Sequence, residues 1–398
     1  MAAELFESRT SPPGSPSGLR AANLDRIIGL LRSHGPMTQA DLVRASGLSP
    51  ATISSIAREL RDGGWLADTD APGGRGAVLT LDRSAGVALG IDFDHNHLRV
   101  AVADLAHSIL AEADEPLDTD HAATEGIALA GRLVRRLLAQ ADMRPERVTG
   151  VGMGLPAPLR LDTGTVGDSA ILPDWIGAQP EALMHAELGL DVRVENDANL
   201  GALAESVWGA GRGHPDLLYV KAGTGVGGGL LLGGRIYRGA AGTAGELGHF
   251  TIDESGPVCR CGNRGCVEAL AGAEAILAPL RQRHGSDLTL GRVIELARAG
   301  DHGCRLVIGD AGRALGIAVA GACNLLAPEL VIVGGELAQA GDLLLDSLRS
   351  AVRRAAIDPM RRIPVTAGVL GARAEVLGAV ALVLRESRRH VAEPPAAR

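Results

Sequence analysis

Three cysteines stand within eight residues, as Cys259-Arg-Cys261-Gly-Asn-Arg-Gly-Cys266, while Cys304 and Cys323 sit alone in helical patterns. In a cytoplasmic protein such clustering favours a metal over a disulfide. Gly262 and Gly265 allow the tight turns that bring three thiolates to about 2.3 Å from one Zn²⁺. A tetrahedral structural site needs a fourth ligand, and His249 in Gly-Glu-Leu-Gly-His is the best candidate. The plainer alternative is a set of free thiols beside a core histidine. Cys304 and Cys323 read as small buried hydrophobes.

Three further segments carry polar chemistry. Val194-Glu195-Asn196-Asp197-Ala198-Asn199 ends a strand and opens a helix, which places an amide and a carboxylate at a cleft edge. The plainer reading of Asp197 is a cap at the start of a surface helix. Gly223-Thr224-Gly225-Val226-Gly227-Gly228-Gly229 is a turn with free N–H groups, suited to phosphate. Val331–Gly335 is a buried strand ending in glycines, against which a flat ring could lie. One such turn is a weak signal, because tight α/β turns need glycine anyway. Their order is stronger.

These residues need elements to hold them. Residues 1–19 are rich in Ser, Pro and Gly and read as a disordered arm. Leu24, Ile27, Ile28 and Leu31 then share a helical face that ends at Gly35-Pro36. A second helix starts at Thr38, with Asp41 three residues on, and stops at Gly47. A third starts with Ser49 as cap and Pro50 at its first position. Gly73–Gly76 and the strand-like Val78–Leu81 complete the order of a winged helix-turn-helix over 20–82.

The third helix buries Ile53, Ile56, Ala57 and Leu60 and presents Ala51, Thr52, Ser54, Ser55 and Arg58. Small hydroxylated residues at a helix start suit close entry into the major groove, with Gln39 and Ser49 beside them. Arg58 would add a phosphate contact, and the wing's Arg75 would reach phosphate or the minor groove. The expected partner is a double-stranded DNA operator; the alternative is a three-helix interaction module. Beyond Ser84 the texture becomes α/β. Val87–Leu105 and Leu217–Arg235 resemble each other as paired strands, which suggests a duplicated lobe.

Bulk properties limit the choice. The chain has 398 residues, 22% charged and 2% aromatic, so its core must be aliphatic. No signal peptide or membrane-length apolar run is evident, which points to the cytoplasm and no membrane partner. A net charge of −8 argues weakly against nucleic acid, but residues 1–80 carry as many Arg as Asp plus Glu. Lys221 is the only lysine, so phosphate contacts elsewhere fall to Arg or backbone.

Together, Gly-Leu-Pro-Ala-Pro at 154–158, Glu195-Asn196-Asp197-Ala198, Gly223–Gly229, Gly245-Glu246-x-Gly-His249 and the Cys-x-Cys-Gly-x-x-Gly-Cys-x-Glu run ending at Glu268 resemble the ROK family of repressors, open reading frames and kinases. The likeness covers about residues 20–386, and the winged helix is what the repressor branch carries. It implies an α/β, two-lobed actin-like, ribonuclease H-like sugar-kinase domain over 86–386. Its lobes would span about 86–195 and 196–371, with a C-terminal helix returning to the first lobe and a tail at 387–398. It also implies that Asn196, Asp197, Glu246, His249 and Glu268 bind a sugar or sugar-phosphate effector, in a homodimer or homotetramer, with zinc holding the loop that presents His249 and Glu268.

The family's kinases carry Asp-x-Gly-Gly-Thr where this chain has Asp92-Phe93-Asp94-His95-Asn96-His97. Both glycines are replaced, and Asp94 adds negative charge beside any triphosphate. Asp92, Gly223, Thr224 and Gly225 are therefore expected to be vestigial phosphate contacts, with no catalytic residue unless Asp197 serves as a base. Ile171 stands where those kinases tend to have Asn. The expected function is transcriptional regulation of carbohydrate genes; the alternative is an ATP-dependent hexose kinase.

Overall fold

The computed structural model describes residues 16–34, 36–63, 65–70, 77–82, 86–118, 121–167 and 171–391. Arg75 and Gly73–Gly76, expected to form the wing tip, lie outside the described residues, as do residues 1–15. The N-terminal unit runs α1 (Pro16–His34), α2 (Gln39–Ser46), α3 (Pro50–Asp62), β1 (Leu66–Asp70) and β2 (Ala77–Leu81). α1 begins at Pro16, inside the stretch expected to be disordered, because proline's fixed φ suits a first helical turn.

The helix starts follow their caps. Thr38 Oγ1 accepts the Asp41 N–H at 3.1 Å, and Asp41 in turn accepts the Thr38 N–H at 3.1 Å. Ser49 Oγ accepts the Thr52 N–H at 3.1 Å. Each such cap contributes about 1 kcal/mol to its helix. Leu24, Ile27, Ile28, Leu31, Leu42, Ile53, Ile56, Leu60 and Leu79 form the core beneath them. Each buried aliphatic side chain contributes roughly 1.5–3 kcal/mol.

Two five-stranded sheets follow. The first contains β3 (Val87–Phe93), β4 (His97–Asp104), β5 (Ile109–Pro116), β6 (Val148–Leu155) and β7 (Val192–Asn196), in the order β5-β4-β3-β6-β7. α4 (Ala123–Gln140) and α5 (Pro180–Leu188) connect its strands. α6 (Asp197–Trp208) leads to β8 (Leu217–Ala222), β9 (Val226–Leu232) and β10 (Arg235–Ile236). After α7 (Val267–Ala271), α8 (Ala273–His284), α9 (Leu290–Arg298) and α10 (His302–Leu326) come β11 (Leu330–Gly334), α11 (Asp342–Ala355), β12 (Val365–Ala367) and α12 (Ala374–Val391). The second sheet is ordered β10-β9-β8-β11-β12.

Each sheet opens with an antiparallel hairpin, β3–β4 or β8–β9, and continues with two parallel strands. The suspected internal likeness is thus a repeated lobe. Elsewhere the structure departs from expectation. The helical pattern from Glu268 to His284 is two helices, because Gly272 is extended at φ −72° and ψ 168°. α12 continues through Val391, past the start of the expected tail. α10 is long and apolar enough to cross a membrane, but 61% of its apolar window is buried, and it packs on α11. α12 packs on α6, β3 and β6, so the C-terminal helix lies against the first sheet. Trp65 belongs both to the winged-helix core and to the cluster formed by α12 with β3 and β4, joining the two units.

Candidate functional site

A cavity of about 1110 Å³ opens between the two sheets. Asn196, Asp197, Glu246, His249 and Glu268 all line it, together with Gly223, Thr224 and Gly225. Residues from 196 to 268 converge because β7 and β8 end at the same mouth. Asp92 lies just beneath, 1% exposed.

Asn196 caps α6, its Oδ1 accepting the Ala198 N–H at 3.0 Å. Asp197 is buried rather than a surface cap, and its Oδ2 accepts from Lys221 Nζ at 2.7 Å. Lys221 also stands 3.6 Å from Asp94. Burial opposes the ammonium charge, but Asp197, Asp94, Glu375 and Asp92 outweigh it and hold Lys221 well above the ordinary lysine range. Lys221 in turn holds the Asp94 carboxyl below the usual range. The negative charge expected of Asp94 is therefore partly offset inside the protein by a cation that it shares with Asp197.

Glu246 follows Gly245, whose φ of 98° excludes a side chain: a Cβ there would stand 2.0 Å from the Gly228 carbonyl oxygen. Burial raises the Glu246 carboxyl above its usual range. His249 presents one nitrogen to each neighbour, with Nδ1 3.8 Å from Cys259 Sγ and Nε2 3.8 Å from Glu246 Oε2. One histidine can therefore serve a metal and the cleft together.

Glu268 is already engaged. Arg260 donates to both its oxygens, through Nε at 2.7 Å and Nη2 at 2.6 Å, and the Val226 N–H adds a third bond at 3.1 Å. Arg260 was not anticipated from the sequence, although it lies inside the cysteine run; nothing in spacing tells that its guanidinium turns to the cleft. Ile171 lines the same corner.

The side chains of His249, Cys259, Cys261 and Cys266 bring their ligand atoms within 4.8 Å of one another. Cys261 and Cys266 are 3.7 Å apart at sulfur. Thiolates sharing a tetrahedral zinc stand roughly 3.8 Å apart, close to the Cys261–Cys266 spacing, so the four residues fit the donor set of such an ion. Gly262 and Gly265, at φ 89° and 65°, make the turns. Among the described residues a second group, His284, Asp301 and Cys304, also converges, but Asp301 caps α10 and burial pushes the Cys304 thiol up to about 11.

On the winged helix, Ala51, Ser49 and Arg58 are exposed. Ser54 donates to Gln39 Oε1 at 2.8 Å, tying α3 to α2, and Thr52 Oγ1 lies 2.8 Å from Ser49 Oγ. Ser55 accepts from Arg20, which also pairs with Glu59. The hydroxyl face is thus pinned, and Arg58 is exposed on the same helix.

The ROK family model matches residues 88–386, and the MarR family model matches 26–76. The xylose repressor of Caldicellulosiruptor bescii is 27% identical over 94% of this chain and 98% of its own. The regulator NagC of Escherichia coli is 28% identical over 92% and 93%. A crystal structure of a ROK family transcriptional regulator, a homolog of the E. coli MLC protein, superposes with a TM-score of 0.79 at 26% identity, covering 94% of this chain and all of its own. A ROK family glucokinase from Streptomyces griseus, in complex with glucose and AMPPNP, gives 0.66 at 30% identity over 75% of this chain and 99% of its own. With its kinase-like lobes and an attached winged helix, the chain belongs to the ROK family.

Proposed function

We propose that the protein is a DNA-binding transcriptional regulator, a repressor of carbohydrate genes, whose cleft senses a sugar or sugar phosphate. The observation that supports this most is the pairing of a capped, hydroxyl-faced α3 with a cleft lined by Asn196, Asp197, Glu246, His249 and Glu268 in one chain. Amides and carboxylates bond adjacent hydroxyls, and a buried polar group left unpaired penalises the wrong sugar. Zn²⁺ on His249, Cys259, Cys261 and Cys266 would fix the loop that carries Glu246 and the Arg260–Glu268 pair.

Effector closure would move α6 and α12, and through Trp65 the winged helix, so that the spacing of paired modules in a homodimer or homotetramer changes. Such a cytoplasmic switch needs a differential affinity of about 1–3 kcal/mol between states. Thermal shifts with a panel of sugars and sugar phosphates test it, because binding stabilises by mass action. Glu246→Gln should abolish the sugar-induced shift and the release from operator while leaving operator binding intact. Unchanged induction in that variant would overturn the cleft assignment. Phosphorylation of a panel sugar by ATP, dependent on Asp197, would instead favour the kinase alternative.

A further inference from the structure

Apart from Asp197, the charged groups around Lys221 have no role in hydroxyl recognition as described so far, yet they gather in one part of the cleft. Four carboxylates meet there, and all four sit on the first-sheet side. Asp92 is the last residue but one of β3 and Asp94 follows the strand; Asp197 opens α6 directly after β7; Glu375 lies at the start of α12, which packs on β3 and β6. The cation comes from the other side, on β8 of the second sheet. Among the described residues the other nearby cations are already engaged: Arg260 is taken by Glu268, and Arg99, which with His97 adds a weaker influence on Asp94, pairs with Asp114.

Two further observations show what kind of seat this is. Both oxygens of Asp92 are buried without a hydrogen-bond partner, which a carboxylate tolerates only beside a strong field or in its neutral form. Burial and the neighbouring carboxylates do raise the Asp92 carboxyl well above its usual range. The seat also adjoins the Gly223–Gly225 turn at the same cavity. Oxygen donors beside a phosphate-sized turn are the setting in which Mg²⁺ bridges protein carboxylates and nucleotide phosphates.

We propose that Lys221 is a built-in counter-ion occupying the seat of a divalent cation between the lobes, and that it closes the cleft to metal–nucleotide ligands. The ammonium neutralises part of the carboxylate charge from inside the chain and holds Asp197 at 2.7 Å. A divalent ion would have to enter beside a fixed positive charge and displace it. The inference goes beyond effector sensing, since it concerns which ligands the cleft refuses and stands whatever sugar it takes.

The test titrates zinc-saturated protein with Mn²⁺, following the free-ion electron paramagnetic resonance signal. Wild type and Lys221→Arg should take up no Mn²⁺ in the cleft. Lys221→Gln should bind one Mn²⁺ at least tenfold more tightly, and adding Asp197→Asn should remove that binding. Mn²⁺ uptake by the wild type that Asp197→Asn abolishes would overturn the proposal, as would a folded Lys221→Gln that binds no better than wild type. If Lys221→Gln folds only with Mn²⁺ present, the metal requirement itself supports it. Independently, Mg²⁺–ATP should leave the wild-type melting temperature unchanged, and a dose-dependent rise would overturn the proposal. Loss of every sugar response alongside these results would sink the sensing function and leave this inference standing.

Discussion

Between β3 and β4 the chain turns through Asp94, His95 and Asn96, whereas between β8 and β9 it turns through Gly223, Thr224 and Gly225. The two hairpins open equivalent sheets and face the same cavity. In the second turn the backbone stays bare, and Gly223 N–H closes on Gly225 O at 3.0 Å. In the first, side chains fill the space: Asp94 reaches Lys221, and the Nδ1 of His95 is buried without a partner. One turn leaves its backbone bare, and the other supplies a carboxylate to an interlobe ion pair. Repeating a fold element therefore preserves its geometry but not its chemistry, which lies in the few residues at the turn.

Removing the cation should do the most damage to that contrast. Lys221→Met leaves several buried carboxylates uncompensated and should cost about 3 kcal/mol or more, read from urea unfolding. A loss under about 1 kcal/mol would mean that the carboxylates are already neutral. Gly225→Ala attacks the other turn. Its Cβ would stand 2.6 Å from Glu268 Oε2 and 2.8 Å from Arg260 Nη2, so the pair must shift. A stability loss of roughly 1–3 kcal/mol and weaker sugar binding are expected.

A smaller effect follows from acid. Lys221 lowers the Asp94 carboxyl, so the stabilisation it gives is fully present above the ordinary aspartate pKa of about 3.9. It is lost as pH falls through the lowered native value, which differential scanning calorimetry on Asp94→Asn should show as a flatter acid limb. Least change is expected from Asp94→Gly with His95→Gly. This pair of substitutions restores a bare first turn, yet Mg²⁺–ATP should still produce no thermal shift while Lys221 remains. A shift would show that the turn alone had closed the site.

The cysteine run, the capped helices and the repeated hairpins were legible because each depends on neighbours a few residues apart. Thr38 and Asp41, or Ser49 and Pro50, decide a helix start locally. Gly272 broke an apparently continuous helix because hydrophobic periodicity survives across one extended residue. Arg260 and Lys221 were visible as residue types but not as cleft residues. Lys221 stood out only as the sole lysine, and its partners Asp94, Asp197 and Glu375 lie up to 154 residues away in sequence.

The sequence by itself determined the capped winged helix and the thiol cluster, since short-range spacing and turn chemistry specify them, while the set of polar residues around the cleft was implied by the family resemblance. Only the tertiary structure decided which of those polar groups are free. Packing α6, α12 and both sheets together removes water from Asp197 and Glu268, and a desolvated carboxylate takes the nearest cation, here Lys221 and Arg260. Such pairing is a property of position in space, and no periodicity along the chain encodes it.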